Sequence, residues 1–197
     1  MPEMLTWPDF GGTEKALDTP EHSAGGKRLL ALPEGTQGRA VFGGPRGCYR
    51  YALERLWDTA LPAVLFVMMN PSTANPIMDD PTVAKCGRFA RRWGYGRLLV
   101  GNTYAWRSTD QRGLLDAEDP VGPLNNDWLL TMAREASLVV FAFGTPTSKP
   151  LLPRGMEVAN TLHAQGIIPH ALRLTAANRP WHPLYLPDSI MPISWIP

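Results

Sequence analysis

The run Val64-Leu65-Phe66-Val67-Met68-Met69, halted by Asn70-Pro71-Ser72-Thr73-Ala74-Asn75, constrains the fold more than any other stretch of this chain. An unbroken apolar segment of strand length, with no polar residue at alternate positions, belongs where both faces are covered. That is the position of a parallel strand inside an α/β sheet. Its carboxyl end is then a ligand position, because open α/β sheets bind in the crevice outside their strand tips. Pro71 fixes its own φ and biases Asn70 towards an extended backbone, so the Asn70 amide stands on a stiff support. The plain alternative is an ordinary Asx turn after a structural strand.

A second apolar run, Arg97-Leu98-Leu99-Val100-Gly101, ends in Asn102-Thr103-Tyr104. The segment between the two is punctuated as a helix, with Asp80 as N-cap, Pro81 at the first helical position and Gly94 past the end. Val83, Cys86, Phe89, Ala90 and Trp93 share one helical face, and Arg88, Arg91 and Arg92 the opposite one. Those arginines are either solvated or, as the best local basic patch, meet nucleic-acid backbone phosphates. A strand-helix-strand unit is right-handed by default and lays Asn70 and Asn102 at the same sheet edge. Asn offers one acceptor and two donors, which suits a planar amide such as a nucleobase edge, but it also caps turns.

Around this centre the chain reads as α/β throughout. Residues 39–42 and 48–53 read as two strands about a glycine-rich turn, an antiparallel hairpin at a sheet edge with Tyr49, Tyr51 and Leu53 alternating with Arg50, Ala52 and Glu54. Residues 111–126 are a polar connection. A helix capped by Asn126 or Asp127 follows to about Ala136, then a third buried strand over 137–144, a helix over 156–165 and a fourth strand near 167–174. His182 is held between Trp181 and Pro183 ahead of a turn, a restrained donor or proton carrier. His22, His163 and His170 have no such context.

Residues 1–38 show no sustained period and read as an N-terminal tail, poorly ordered or strapped to the surface, ahead of a single domain over 39–197. A formal charge of +1 carries no footprint of a non-specific nucleic-acid binder. Cys48 and Cys86 match no zinc or redox spacing and read as reduced and structural. No cofactor or metal is expected. No basic leader or membrane-length apolar run is seen, so cytoplasmic placement without membrane contact is the expectation.

The segments Met69-Asn70-Pro71-Ser72-Thr73-Ala74, Asp80-Pro81-Thr82, Arg92-Trp93-Gly94-Tyr95-Gly96, 119–127 and His182-Pro183-Leu184-Tyr185-Leu186 together resemble a bacterial and phage family, domain of unknown function 1643, over roughly residues 39–186. More distantly, the order Asn70-Pro71, Asn102, Phe141-Ala142-Phe143-Gly144, His182-Pro183 is similar to the motif order of the uracil-DNA glycosylase superfamily. That resemblance implies a three-layer α/β/α fold with a mainly parallel central sheet and an antiparallel edge hairpin. It implies that Asn70 positions water, Asn102 reads the base and His182 donates to the base oxygen. The chain departs from the pattern at Met68-Met69 and at Leu184-Tyr185, and two cysteines do not supply an iron-sulfur set.

Hydrolysis of an N-glycosidic bond needs a donor for the departing base, a held water and, optionally, an anion near the sugar. His182, Asn70 and Asp79 or Asp80 supply these. Trp106 or Tyr104 would stack on an extruded base, unless both are packed at the strand end. Ser72 and Arg107, beside the two strand tips, complete the substrate-contact set. The expectation is a glycosylase-like hydrolase acting on a nucleobase or nucleotide, in single-stranded or modified DNA among other carriers. The alternative is a non-catalytic nucleotide or modified-base binder of the same fold.

Overall fold

The computed structural model describes residues 5–10, 22–26 and 28–197. A seven-stranded mixed sheet runs in the order β2 (Gln37–Gly43), β3 (Tyr49–Leu56), β6 (Arg97–Asn102), β4 (Ala63–Met68), β7 (Leu138–Phe141), β8 (Pro169–Ala171), β9 (Ile193–Ser194). Strands β6, β4, β7 and β8 are parallel, β2 and β3 form the antiparallel hairpin at one edge, and β9 closes the other edge antiparallel to β8. A second sheet has two short antiparallel strands, β1 (Leu30–Ala31) and β5 (Met78–Asp79). Among the described residues the α-helices are α1 (Pro81–Arg92), α2 (Arg112–Asp116), α3 (Asn125–Glu135) and α4 (Leu152–Ala164).

All six residues of β4 are buried. Val64, Phe66 and Met68 join the cluster that holds Val83, Cys86, Phe89 and Ala90 of α1. Leu65 and Val67 join the cluster that holds Trp128, Leu129 and Met132 of α3 with Val158 and Leu162 of α4. Period-two alternation therefore serves two apolar faces, and this is why the run has no polar member. Phe66, Phe89 and Trp93 stack, with ring centroids 5.3 to 6.3 Å apart.

Helix α1 begins as its punctuation requires. The Asp80 carboxylate accepts from the backbone N–H of Thr82 and of Val83, both at 2.9 Å, Pro81 follows, and Gly94 leaves the helix at φ 82. Other boundaries differ from the sequence reading. The connection over 111–126 holds α2, and α4 starts at Leu152 because Pro153 opens a helix as well as it breaks one. Helix α3 is capped by neither Asn126 nor Asp127. Its first residue, Asn125, is buried and donates to the carbonyls of Asn102 and Thr103 instead.

The hairpin carries the largest correction. Arg50 and Glu54, read as alternating with Tyr49, Tyr51 and Leu53, are both buried, and the alternation does not hold through the hairpin. Glu54 is held by Arg39 and Arg97, which turns a strand carboxylate into a clasp across β2, β3 and β6. Pairing of Val41 with Ala52 and of Phe42 with Arg50 leaves Tyr51 as an extra residue, a bulge. Beyond it the side-chain alternation is offset. Tyr51 and Ala52 both enter the α3 and α4 cluster, Leu53 enters the α1 cluster, and Arg50 lies with Met68 and Val83 of that same side.

Of the stretch expected as a tail, residues 1–4, 11–21 and 27 lie outside the described set. The Trp7 indole donates to Glu135 and meets Trp128 edge-on, and Arg39 stacks over Trp7 and Phe10. Residues 22–26 pass across the strand tips, with the Thr109 N–H donating to the Ala24 carbonyl. Gly26 lies so close to Thr73 that a Cβ there would stand 2.6 Å from the Thr73 methyl. Cys48 and Cys86 are buried free thiols. Among the described residues no helix is long and apolar enough to cross a membrane.

Candidate functional site

A cavity of about 560 Å³ opens at the carboxyl ends of the parallel strands. Its walls come from the turn after β4 (Met69, Asn70, Ser72, Thr73), the start of α1 (Asp80, Pro81, Thr82), the segment after β7 (Phe143, Gly144, Thr145) and the turn around His182, with Gly26, Arg28 and residues of 108–111 completing them. A recess of about 90 Å³ adjoins it, sharing Met69, Asn70, Ser72, Asp80, Thr82 and His182 with the cavity and adding Arg50, Met68 and Val83. Asn70, Ser72, Asp80 and His182, spread over more than a hundred positions of chain, therefore meet at one place.

Each of these side chains is oriented by local contacts. Asn70 Nδ2 donates to the carbonyls of Ser108 at 2.6 Å and Pro71 at 3.3 Å, so its two donors are committed and Oδ1 is the atom left to a ligand. Asp80 uses one carboxylate oxygen, Oδ1, for the α1 cap and keeps Oδ2 for the cavity it lines. Ser72 and Thr109 share a hydroxyl hydrogen bond of 2.8 Å at the rim.

His182 sits where a short return, with Trp181 N–H bonded to the Arg173 carbonyl, meets a 3-10 turn over Pro183–Tyr185. Its Nδ1 accepts from the Leu184 N–H at 3.4 Å, which places the proton of a neutral ring on Nε2. Burial pushes the His182 pKa below the ordinary 6.5, against the opposing pull of Asp80, so the neutral Nε2–H donor is the form at neutral pH. Gly144, at φ 70, lets the chain after β7 pass the His182 backbone, and a Cβ there would come within 3.3 Å of the His182 Cβ.

The other expected residues stand elsewhere. Asp79 is buried against Arg55 at 2.9 Å and does not line the cavity. Asn102 is buried behind the cavity wall, its Oδ1 accepting from Arg50 Nη2 at 3.3 Å. Tyr104 packs against Leu114 and Leu151, and Trp106 against Tyr49 and His22, so neither ring faces the cavity. Arg107 donates to the Gly47 carbonyl and lies 4.8 Å over the Phe42 ring. Arg88 pairs with Asp188, Arg91 stacks 3.9 Å over Trp57 and donates to Thr36, and Arg92 is exposed; none lines the cavity. Among the described residues no group of three or more His, Cys, Asp or Glu is placed to hold a metal ion.

Residues 50–184 match a family described as protein of unknown function, DUF1643, and this is more than half of the chain. The chain belongs to the DUF1643 family. No curated protein and no solved structure matches it, and the comparisons connect it no further than this family. The DUF1643 match opens at Arg50 and closes at Leu184, and so spans every residue that lines the inner recess.

Two contributors to this DUF1643 site were not expected from sequence. Arg50 reaches the recess only because the bulge at Tyr51 turns it to the α1 side, a change of parity with no local sequence signal. Thr82 had one: a hydroxyl two residues after an N-cap lies in the first helical turn, beside whatever the cap faces.

Proposed function

We propose that the cavity binds a nucleobase, free or in a nucleotide or nucleic acid, and hydrolyses its N-glycosidic bond. The observation that carries this reading is the shared recess lined by Asn70, Asp80 and His182, whose uncommitted atoms are two acceptors (Asn70 Oδ1 and the second oxygen of Asp80) and one neutral donor (His182 Nε2–H). The outer cavity, about 560 Å³, has room for the sugar. In this reading Asn70 and Asp80 hold the attacking water through its two hydrogens. The water oxygen bonds to C1′ as the C1′–N bond breaks with its electron pair on the base. His182 donates to the departing base, and the water's proton passes through Asp80 and ends on the base nitrogen. Asp80 takes the part first divided between Asp79 and Asp80, and Asn102 acts from behind the wall through Arg50.

A parallel centre with helices contributing to both core clusters, an edge hairpin and these groups at the strand tips supports the three-layer, uracil-DNA-glycosylase-like form of the fold. Single-stranded or modified DNA is the macromolecular substrate on this reading, met in the cytoplasm.

The test is release of free base, followed by mass spectrometry, from single- and double-stranded DNA and nucleotides carrying a panel of modified bases, with Asn70→Ala and His182→Ala in parallel. Release by the wild type that is lost in both variants is the expected result; no release from any substrate overturns it. A non-catalytic binder of the same base is the second reading. The commitment of Asp80 Oδ1 to the α1 cap favours it, because a cap needs no turnover. Retained base binding without release would establish it.

A further inference from the structure

Arg50 is the least expected cation in this molecule. Its side chain is 1 % exposed, yet among the described residues it pairs with no carboxylate within 4.0 Å. Nη1 donates to the Ala74 carbonyl at 2.9 Å and Nη2 to Asn102 Oδ1 at 3.3 Å, both neutral acceptors, and among the described residues Nε has no hydrogen-bond partner. A buried guanidinium is normally matched by an anion or fully hydrogen-bonded, since leaving charge and donors uncompensated in a low-dielectric interior is costly. Arg50 is neither, and it lines the small recess that adjoins the cavity, as His182 does. Asp80 supplies the leading opposing charge, and burial draws the guanidinium down only to about 10, so it is a cation at neutral pH.

We propose that Arg50 and His182 form an oxygen-binding subsite that selects nucleobases carrying a ring oxo group and takes up the charge developing on that oxygen as the base departs. The recess, about 90 Å³, accepts the edge of a ring and not a whole nucleoside. Two donor residues lining one recess, one of them charged, fit an oxygen with two lone pairs, and the charged one strengthens as negative charge grows. When the C1′–N bond breaks, its electron pair passes onto the base and is shared with the oxo oxygen. The subsite meets it there, until the proton from water restores the neutral base.

The departure step rests on the hydrolytic reading above, whereas recognition of the oxo group does not. Uracil and hypoxanthine, with pyrimidine and purine as the same rings lacking oxo groups, are titrated calorimetrically into the full chain and into the Arg50→Met, Arg50→Lys and His182→Gln variants. Wild type is expected to prefer the oxo-bearing bases by about 10- to 100-fold, Arg50→Met to bring the two classes level, and Arg50→Lys, which keeps charge but loses the fork, to fall between. Should Arg50→Met fail to fold, the wild-type preference and its narrowing in His182→Gln decide the matter. Equal binding of the two classes by wild type, no binding of either, or a folded Arg50→Met that keeps the preference overturns the subsite. Preference without release from any DNA or nucleotide leaves the subsite standing and removes hydrolysis. Release at an unchanged rate in folded Arg50→Met does the reverse.

Discussion

At the scale of single residues, the site is made of side chains whose free atoms are decided by what their other atoms already do. Asn70 spends its donors on two carbonyls, Asp80 spends one oxygen on a helix, and His182 spends Nδ1 on a backbone N–H. His182 also makes a testable statement about pH. Its pKa in the fold lies below the ordinary 6.5, so as pH falls through that window the unfolded chain takes up the proton first. Stability is therefore full above about 6.5 and declines below it. Thermal melts between about pH 5 and pH 8 should show this slope in the wild type and a flatter one in His182→Gln. If the hydrolytic reading holds, His182→Ala should also slow base release by roughly a hundredfold, the value of one well-placed donor, read from initial rates. Asn70, Asp80 and His182 were legible because each is flanked by proline, whose effect on the backbone is local. Arg50 was not, because its direction depends on pairing across the hairpin.

Elements transmit these choices. Asp80 serves α1 and the cavity at once, and two substitutions separate the roles. Asp80→Asn keeps a capping oxygen but removes the leading charge opposing buried Arg50, so it should retain the α1 cap while lowering base release. Asp80→Ala should in addition cost about 1 kcal/mol in denaturant unfolding through loss of the cap. Gly144→Ala puts a Cβ on a left-handed backbone against His182, and should cost about 1 kcal/mol or more and weaken base binding in calorimetric titration. The start and end of α1 were readable from Asp80, Pro81 and Gly94, whose preferences do not depend on tertiary neighbours. The two-residue strands β1 and β5 and the short helix α2 were not, since elements this short owe their existence to what they pair or pack with.

Across the whole molecule, buried ion pairs tie the edge hairpin to the centre. Arg55 bonds Asp79 and the carbonyls of Asn75 and Met78, joining β3 to the loop that leads into α1, and Glu54 joins β2 and β6 through Arg39 and Arg97. Removing Asp79 leaves the buried Arg55 charge uncompensated, so Asp79→Ala should destabilise by about 3–5 kcal/mol in equilibrium unfolding, whereas Glu54→Ala, which leaves the partly exposed Arg39 and an Arg97 still paired with Glu135, should cost less. Asp79→Ala should do so although its carboxylate does not line the cavity. Residue order alone was enough to specify the parallel strand β4 at the centre, the helix that follows it and the polar turn at its tip. Burial on two faces, proline and helix capping are written in consecutive residues. Which polar groups share the recess was set by long-range packing. A bulge set the direction of Arg50, Arg50 in turn holds the Asn102 side chain behind the wall, and the return after β8 carried His182 to the recess that Asp80 lines. Those outcomes follow from contacts between residues far apart in the chain, for which consecutive residues hold no signal.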